Sequence, residues 1–281
     1  MPSRQADRRS YDDLSARENV QAGDVLIITT PQKPTQEQTA YAIGLAEELG
    51  GRFVPRKQDS LSLLKAKYGD NRLLVADDRG LRYYEDSEEP LYFHPSMAYV
   101  RVKRMRKGEA DPLIALTGCQ PGDRVIDCTA GLGSDAIVFA YGVGPQGQVT
   151  ALESEQMLYT VVREGLKTYE TEHEDVNEAF RRIEMRNMNH LEYLSRLPDK
   201  SADIVYFDPM FRKPMHDSSA LQPLRGLANN AALTEESVRQ AVRVARKMVV
   251  LKEHKDSEEF QRLGFERRHI NKIAYGVIQP T

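Results

Sequence analysis

Four carboxylates in this sequence stand where carboxylates can hold a ligand. Asp127 closes the apolar stretch VID, and Asp135 follows in the glycine turn TAGLGSDA. Glu153 closes QVTALE, and Asp208 follows IVYF just before a proline. Gly131, Gly133 and Ala136 fit the G-x-G-x-x-G/A pattern of a dinucleotide loop. A dinucleotide, however, would bring its pyrophosphate to this turn, where Asp127 and Asp135 would repel it. A cationic cofactor without phosphate fits the acids better. S-adenosylmethionine carries an ammonium, a sulfonium and a ribose with two free hydroxyls. Asp127 could meet its methionine end, the glycines would let the backbone approach closely, and Glu153 could accept both ribose hydroxyls. Glu153 would serve NAD equally well, so the discrimination rests on Asp127 together with Asp135. Taken singly, each acid also fits a helix cap or helix start; the ordered set is what points to a cofactor.

The tetrad Asp208-Pro209-Met210-Phe211 implies a second chemistry. An exocyclic amine on a base is a poor nucleophile, because its lone pair is delocalised into the ring. Asp208 and a main-chain carbonyl fixed beside Pro209 could accept its two protons and aim the lone pair at a methyl donor. Positioning of this kind supplies most of the catalysis when the leaving group is already good. Phe211 could stack on the base face. Asp-Pro is also a common turn starter, and Met210 and Phe211 fit a core equally well when read alone.

The elements that must position these residues are legible as alternating patterns. VIDCTA, QVTALE, RIEMRNMN, DIVYFDPMF and KMVVLKEH read as strands. SDAIVFAYG, SEQMLYTVVREGLKTYETE, HLEYLSRL and TEESVRQAVRVARK read as helices between them, and FERRHINKIAYGVIQ as a closing hairpin. Such alternation predicts an α/β fold with a doubly wound, mostly parallel, Rossmann-like sheet. Upstream, DVLIITT and the two runs of RLLVADDRGLRYYE read as strands, and TQEQTAYAIGLAEELGG and DSLSLLKAKYG as helices. The expected organisation is a mobile arm over 1–21, a small N-terminal α/β domain over 22–100, a basic linker and helix over 101–119, and a catalytic domain over 120–281.

Composition sets the class. The chain has 281 residues, 40% apolar and 29% charged, as an ordinary globular protein has. Cys119 and Cys128 lie in no disulfide or metal-ligand spacing, so no metal is expected. VLII and MVVL are strand-sized, too short to span a bilayer, and the polar N-terminus lacks a signal-peptide core. A cytoplasmic location is expected. The sequence sets no oligomeric state. A net charge of −3 gives no global pull on nucleic acid, so such binding needs a local patch. RVKRMRK (101–107) is the one dense basic cluster: Arg101, Lys103, Arg104, Arg106 and Lys107. It reads either as a solvated helix face or as a strip for RNA phosphates.

DCTAGLGSDA, YFDPMF and the following SALQPLR resemble the RsmJ-type 16S ribosomal RNA guanine-N2 methyltransferases, which are class I S-adenosylmethionine-dependent enzymes. The likeness extends to Ser218-Ser219-Ala220-Leu221 through Arg225 and to the basic MAYVRVKRMRKG (97–108), and covers roughly residues 22–281. It implies a methyltransferase domain over 120–281 that acts on ribosomal RNA or the small ribosomal subunit. It also implies that Ser134, Asp135, Glu153 and Ser154 contact the cofactor, that Asn189 and His190 lie beside its adenine, and that Asp208 lies at the cofactor–substrate junction. His190 read alone is a helix-start residue. Lys252, in VVLKEH, matches a family lysine that would contact RNA phosphate or the target base; it reads equally as a solvated strand end. The chain departs from the family after the tetrad, where RKPMHDSSAL carries Asp217 instead of several lysines. That leaves the target base open: another RNA or an adenine N6 presents the same amine chemistry. An NAD-dependent oxidoreductase and a non-catalytic RNA-binding protein are the alternatives from other classes.

Overall fold

The computed structural model describes residues 25–209, 232–270 and 273–281. The expected arm over 1–21, Phe211, Asp217 and the 218–225 stretch lie outside the described residues.

The N-terminal unit is a five-stranded sheet. β1 (Ile27–Thr29), β2 (Arg52–Phe53) and β3 (Leu73–Asp77) run parallel, and β4 (Gly80–Tyr84) and β5 (Leu91–Tyr92) turn back antiparallel, in the order β2-β1-β3-β4-β5. Helix α1 (Gln36–Leu49) starts on a capping box between Thr35 and Gln38, and α2 (Leu61–Tyr68) starts on Ser60.

Helix α3 (Ser96–Arg106) follows, then α4 (Pro112–Thr117), capped by Asp111. The basic segment expected as a linker is therefore helical, and α3 crosses the expected boundary between residues 100 and 101. The reason is its apolar spacing: Ala98 and Val102, four apart, are both buried, which places them on one helix face.

The second sheet has seven strands: β6 (Arg124–Asp127), β7 (Gln148–Glu153), β8 (Ile183–Asn187), β9 (Ala202–Phe207), β10 (Ala245–His254), β11 (Glu266–Ile270) and β12 (Ile273–Ile278). Their order is β11-β12-β10-β9-β6-β7-β8. β8, β7, β6, β9 and β10 are parallel, and the β11–β12 hairpin joins antiparallel to β10. The helices between them are α5 (Ser134–Gly142), α6 (Gln156–Thr168), α7 (Glu174–Arg181), α8 (His190–Ser195) and α9 (Glu235–Val244), with the single-turn α10 (Glu259–Arg262) before the hairpin. The doubly wound sheet expected from the sequence is present. After β6 the chain builds outward to β7 and β8, then returns to the other side of β6 for β9 and β10. The carboxyl ends of β6, β7 and β9 therefore meet at a topological switch point, where ligands bind in such sheets.

The sequence reading of one helix through residue 172 is corrected. Helix α6 stops at Tyr169, whose backbone is extended, and α7 is a separate short helix. Asn177 stabilises the break, since its Oδ1 accepts from the Thr171 backbone N at 2.8 Å and its Nδ2 donates to Glu170 at 2.7 Å.

The two sheets share one apolar cluster, which includes Ile28, Leu74 and Phe93 from the first unit with Phe139, Val162 and Phe180 from the second. Helix α6 lies between them, against β4 and β5. At Gly165 it meets the Phe93 ring so closely that a methyl group in place of the glycine hydrogen would overlap that ring.

Candidate active site

The turn after β6 is built by main-chain geometry. Gly131 and Gly133 hold positive φ angles of 51° and 78°, a region that favours glycine. The Ala130 N–H donates to Leu152 O at 2.9 Å, tying the turn to β7, and Gly133 opens α5 packed on Val162. Asp127 ends β6 with 1% exposure, its Oδ1 accepting from the Thr129 N at 3.1 Å. Burial, reinforced by the Asp135 charge, pushes its carboxyl up to about 8. Glu153 ends β7 and bridges two loops: Oε2 accepts from the Gly131 N at 3.2 Å and Oε1 from the Glu155 N at 2.9 Å. Burial raises its carboxyl too, against those N–H groups. Asn187, at the end of β8, donates to the Glu153 and Ser154 carbonyls at 2.9 and 3.0 Å.

The opposite wall carries paired charges. Lys252, on β10, donates from Nζ to Asp208 Oδ2 at 2.6 Å and to Asp135 Oδ2 at 2.8 Å. Tyr206, two residues before Asp208 and so on the same side of β9, donates to Asp135 Oδ2 at 2.7 Å. Arg101 Nη1 reaches Asp135 Oδ1 at 2.5 Å. Burial works to raise the Asp135 carboxyl, but Lys252 and Arg101 overcome it and hold that group well below the usual range. Burial likewise opposes the charge on Lys252, and Asp208 with Asp135 reverses this and drives its ammonium upward. For Asp208, burial and the Asp135 charge outweigh Lys252, so its carboxyl is raised. The Asp208 N–H donates to Thr129 Oγ1 at 2.5 Å, which fixes the strand end to the turn.

Asp127, Glu153, Asp135, Asp208, Tyr206 and Lys252 line one cleft of about 440 Å³, within the usual range for small-molecule sites, with Arg101 and Asn187 behind its walls. Asp127, Gly131, Ser134, Asp135, Glu153, Ser154, Asn189, His190, Asp208, Pro209 and Lys252, all expected from the sequence, line it. Gly133 shapes the turn without lining the cleft. Asn189 caps α8, its Oδ1 accepting from the Leu191 N at 2.8 Å. His190 packs edge-on to Phe207 and lies 3.1 Å from the Ser237 hydroxyl, and burial lowers its pKa. Among the described residues no cluster of His, Cys, Asp and Glu could hold a metal ion, and no helix is long and apolar enough to cross a membrane.

A family model described as "Putative SAM-dependent methyltransferase" matches residues 61–266. The chain belongs to that family. S-adenosylmethionine is its cofactor, and the dinucleotide alternative falls with that assignment. An uncharacterized protein of Bacillus subtilis, YpiP, is 39% identical over 91% of this chain and all of its own length. Ribosomal RNA small subunit methyltransferase J of Hydrogenovibrio crunogenus is 29% identical over 53% of this chain, and that of Thioalkalivibrio sulfidiphilus 30% identical over 51%. The chain spans a little over half of these two relatives' own length (55% and 57%). The crystal structure of a SAM-dependent methyltransferase from Neisseria gonorrhoeae shares the fold, with a TM-score of 0.57 at 18% identity, covering 90% of this chain and 96% of the other.

The cleft fits the cofactor chemically. Asp127 and Glu153 are carboxylates to which no cation is hydrogen-bonded among the described residues, as a cationic, ribose-bearing ligand requires. Leu152, Leu158, Leu191 and Leu233 supply apolar wall for a base.

Arg101 and Lys252, read from the sequence as RNA contacts, with the target base or a solvated strand end as further readings of Lys252, are held in ion pairs with 22% and 17% side-chain exposure. Asp135, expected at the cofactor, lines the cleft and accepts from three donors. Arg106 is paired with Asp175 at 2.8 Å. Lys103 lies 3.9 Å from Glu172 and over the Tyr99 ring. Arg104 and Lys107 are exposed and make no ion pair among the described residues. The sequence reading missed Thr129, Asn187 and Tyr206; Tyr206 carried a signal, its same-side spacing from Asp208.

Proposed function

We propose that this chain methylates the exocyclic N2 amine of a guanine in the 16S RNA of the small ribosomal subunit. The observation that carries the reading is the placement of Asp208 on the same cleft as Asp127 and Glu153. Its Oδ2 accepts from Lys252, while no donor among the described residues reaches Oδ1, and the neighbouring Asp135 helps to raise its carboxyl. Likeness to methyltransferase J proteins over about half the chain supports an RNA substrate.

In this reading Glu153 accepts the ribose hydroxyls, Asp127 faces the methionine end, and the Gly131 backbone lies beside both. When bound, S-adenosylmethionine supplies an electrophilic methyl on a sulfonium that leaves as a neutral thioether. Asp208 Oδ1 accepts one proton of the substrate amine, and a carbonyl beside Pro209 accepts the other, so the nitrogen lone pair points into the cleft. As the N–C bond forms, the amine becomes acidic and its proton passes to Asp208, whose raised carboxyl suits that role. Arg104 and Lys107 on the outer face of α3 bind RNA phosphates. A ribosomal substrate places the protein in the cytoplasm.

The test is methyl transfer from labelled S-adenosylmethionine to small subunits from cells lacking this protein, followed by nucleoside analysis. Label in N2-methylguanosine is expected, with Asp208→Ala lowering the rate about 10²–10⁴-fold. Label in N6-methyladenosine would move the target to adenine. No label, with cofactor binding intact, would send the search to another RNA.

A further inference from the structure

Arg101 belongs to helix α3, which precedes every strand of the large sheet, yet its guanidinium ends among the charges of the cleft. Nε and Nη2 clamp Asp111 at 2.8 and 2.9 Å, and Asp111 is itself held by capping α4 through the Leu113 N. Nη1 extends to Asp135, which holds Lys252, which holds Asp208. The result is an unbroken file of alternating charge, Asp111–Arg101–Asp135–Lys252–Asp208, reaching from α4 to the substrate side of the cleft. A buried file of this kind adds little stability over apolar packing, because desolvation offsets the attraction. What it can fix is direction. A lysine ammonium is a point charge with rotatable donors on a flexible stem; two carboxylates bonded to it restrict that freedom. Arg101, with its planar fork anchored on Asp111, removes it in turn from Asp135.

We propose that Arg101 is a positioning residue for methyl transfer: by locking Asp135 it locks Lys252, and so turns Asp208 to present Oδ1 to the amine. The proposal rests on the reading of Asp208 as the amine's acceptor. It gives helix α3, which joins the two sheets, a role inside the catalytic centre, separate from any RNA contact made by Arg104 and Lys107 at its end.

Arg101→Lys keeps a cation but cannot bridge Asp111 and Asp135 with a fork; Arg101→Met removes the charge. The first readout needs no RNA: hydrogen exchange of the Lys252 ammonium, followed by its ¹⁵N resonance in the full chain. Its exchange should quicken in Arg101→Lys and further in Arg101→Met. The second readout is the kinetic split. Arg101→Lys should lower kcat by roughly 10–100-fold, the scale of a small misplacement of reacting groups. Its affinity for S-adenosylhomocysteine and its KM should stay within about twofold of wild type. Unchanged Lys252 exchange in both variants overturns the proposal, as does a fall in kcat that only accompanies a fall in melting temperature and cofactor-product affinity. Should the wild type methylate no ribosomal RNA, the RNA reading alone falls, and the exchange experiment still decides whether Arg101 controls Lys252.

Discussion

The two ends of the cleft handle negative charge in opposite ways. At the turn after β6, Asp127 and Glu153 are held by backbone N–H groups and meet no cation directly, so burial raises both carboxyls. At the end of β9, Asp135 and Asp208 are stitched together by Lys252, with Arg101 behind. The first end is electrostatically unfinished, and in the proposed reading the cofactor's cation completes it. The second is nearly complete, and in the same reading its remaining carboxylate oxygen meets a neutral amine. Charge then directs a cationic cofactor and a neutral nucleophile to different ends.

Breaking the finished end should cost most. Lys252→Met leaves Asp135 and Asp208 as neighbouring carboxylates without their shared cation; removal of one partner from a buried pair costs about 3–5 kcal/mol. Denaturant unfolding at neutral pH should show a loss on that scale. A loss below about 1 kcal/mol, the range of exposed pairs, would mean that water already reaches these groups.

The unfinished end should respond to pH. Asp127 is raised by burial to about 8 in the free protein. Its contribution to stability is therefore present below the ordinary carboxylate range and is lost as pH rises through about 8. Asp127→Asn keeps an acceptor for the Thr129 N–H and removes that loss, so its advantage over wild type should grow from pH 5 to pH 8. Binding a cation beside Asp127 should release its proton, so S-adenosylmethionine affinity should tighten with pH by up to about tenfold per unit below pH 8. Calorimetry in two buffers of different ionisation enthalpy measures that proton. If none is released, Asp127 does not face the cation.

The smallest expected effect lies outside both ends. Arg104→Glu with Lys107→Glu should weaken RNA use and reduce the salt slope of binding by about one per lost phosphate contact. Cofactor affinity should not move. An unchanged salt slope would remove this face of α3 from the RNA path.

Much of this was readable from residues in order. The glycine turn, the acids at three strand ends and the alternation of strands with helices are local patterns, and they placed the switch point correctly. Pairings were not readable. Lys252 and Asp135 stand 117 residues apart, and Arg101 and Asp135 stand 34 apart. A sequence shows that cations exist but not which acid they meet, because packing of distant elements decides it. The basic run looked uniform for that reason. Once folded, its members separate into a buried positioning group, paired surface residues, and two exposed cations. Helix α7 was missed because its eight residues are mostly charged and polar, and only Val176, Ala179 and Phe180 are apolar on its buried face, which Asn177 shares.

Gly165 carries a consequence of a mechanical kind. It bears on Phe93, and Phe93 lies three residues before the start of the helix from which Arg101 extends. The single hydrogen at that position thus acts as a seating stop between the two sheets, letting the smaller one settle about a methyl radius closer than any other residue would allow. A shim of one carbon there would lift Phe93, tilt the start of α3, and shorten the overlap between Arg101 and Asp135. The alignment of a reacting group at one rim of the large sheet is, in this sense, gauged by a clearance on its far side.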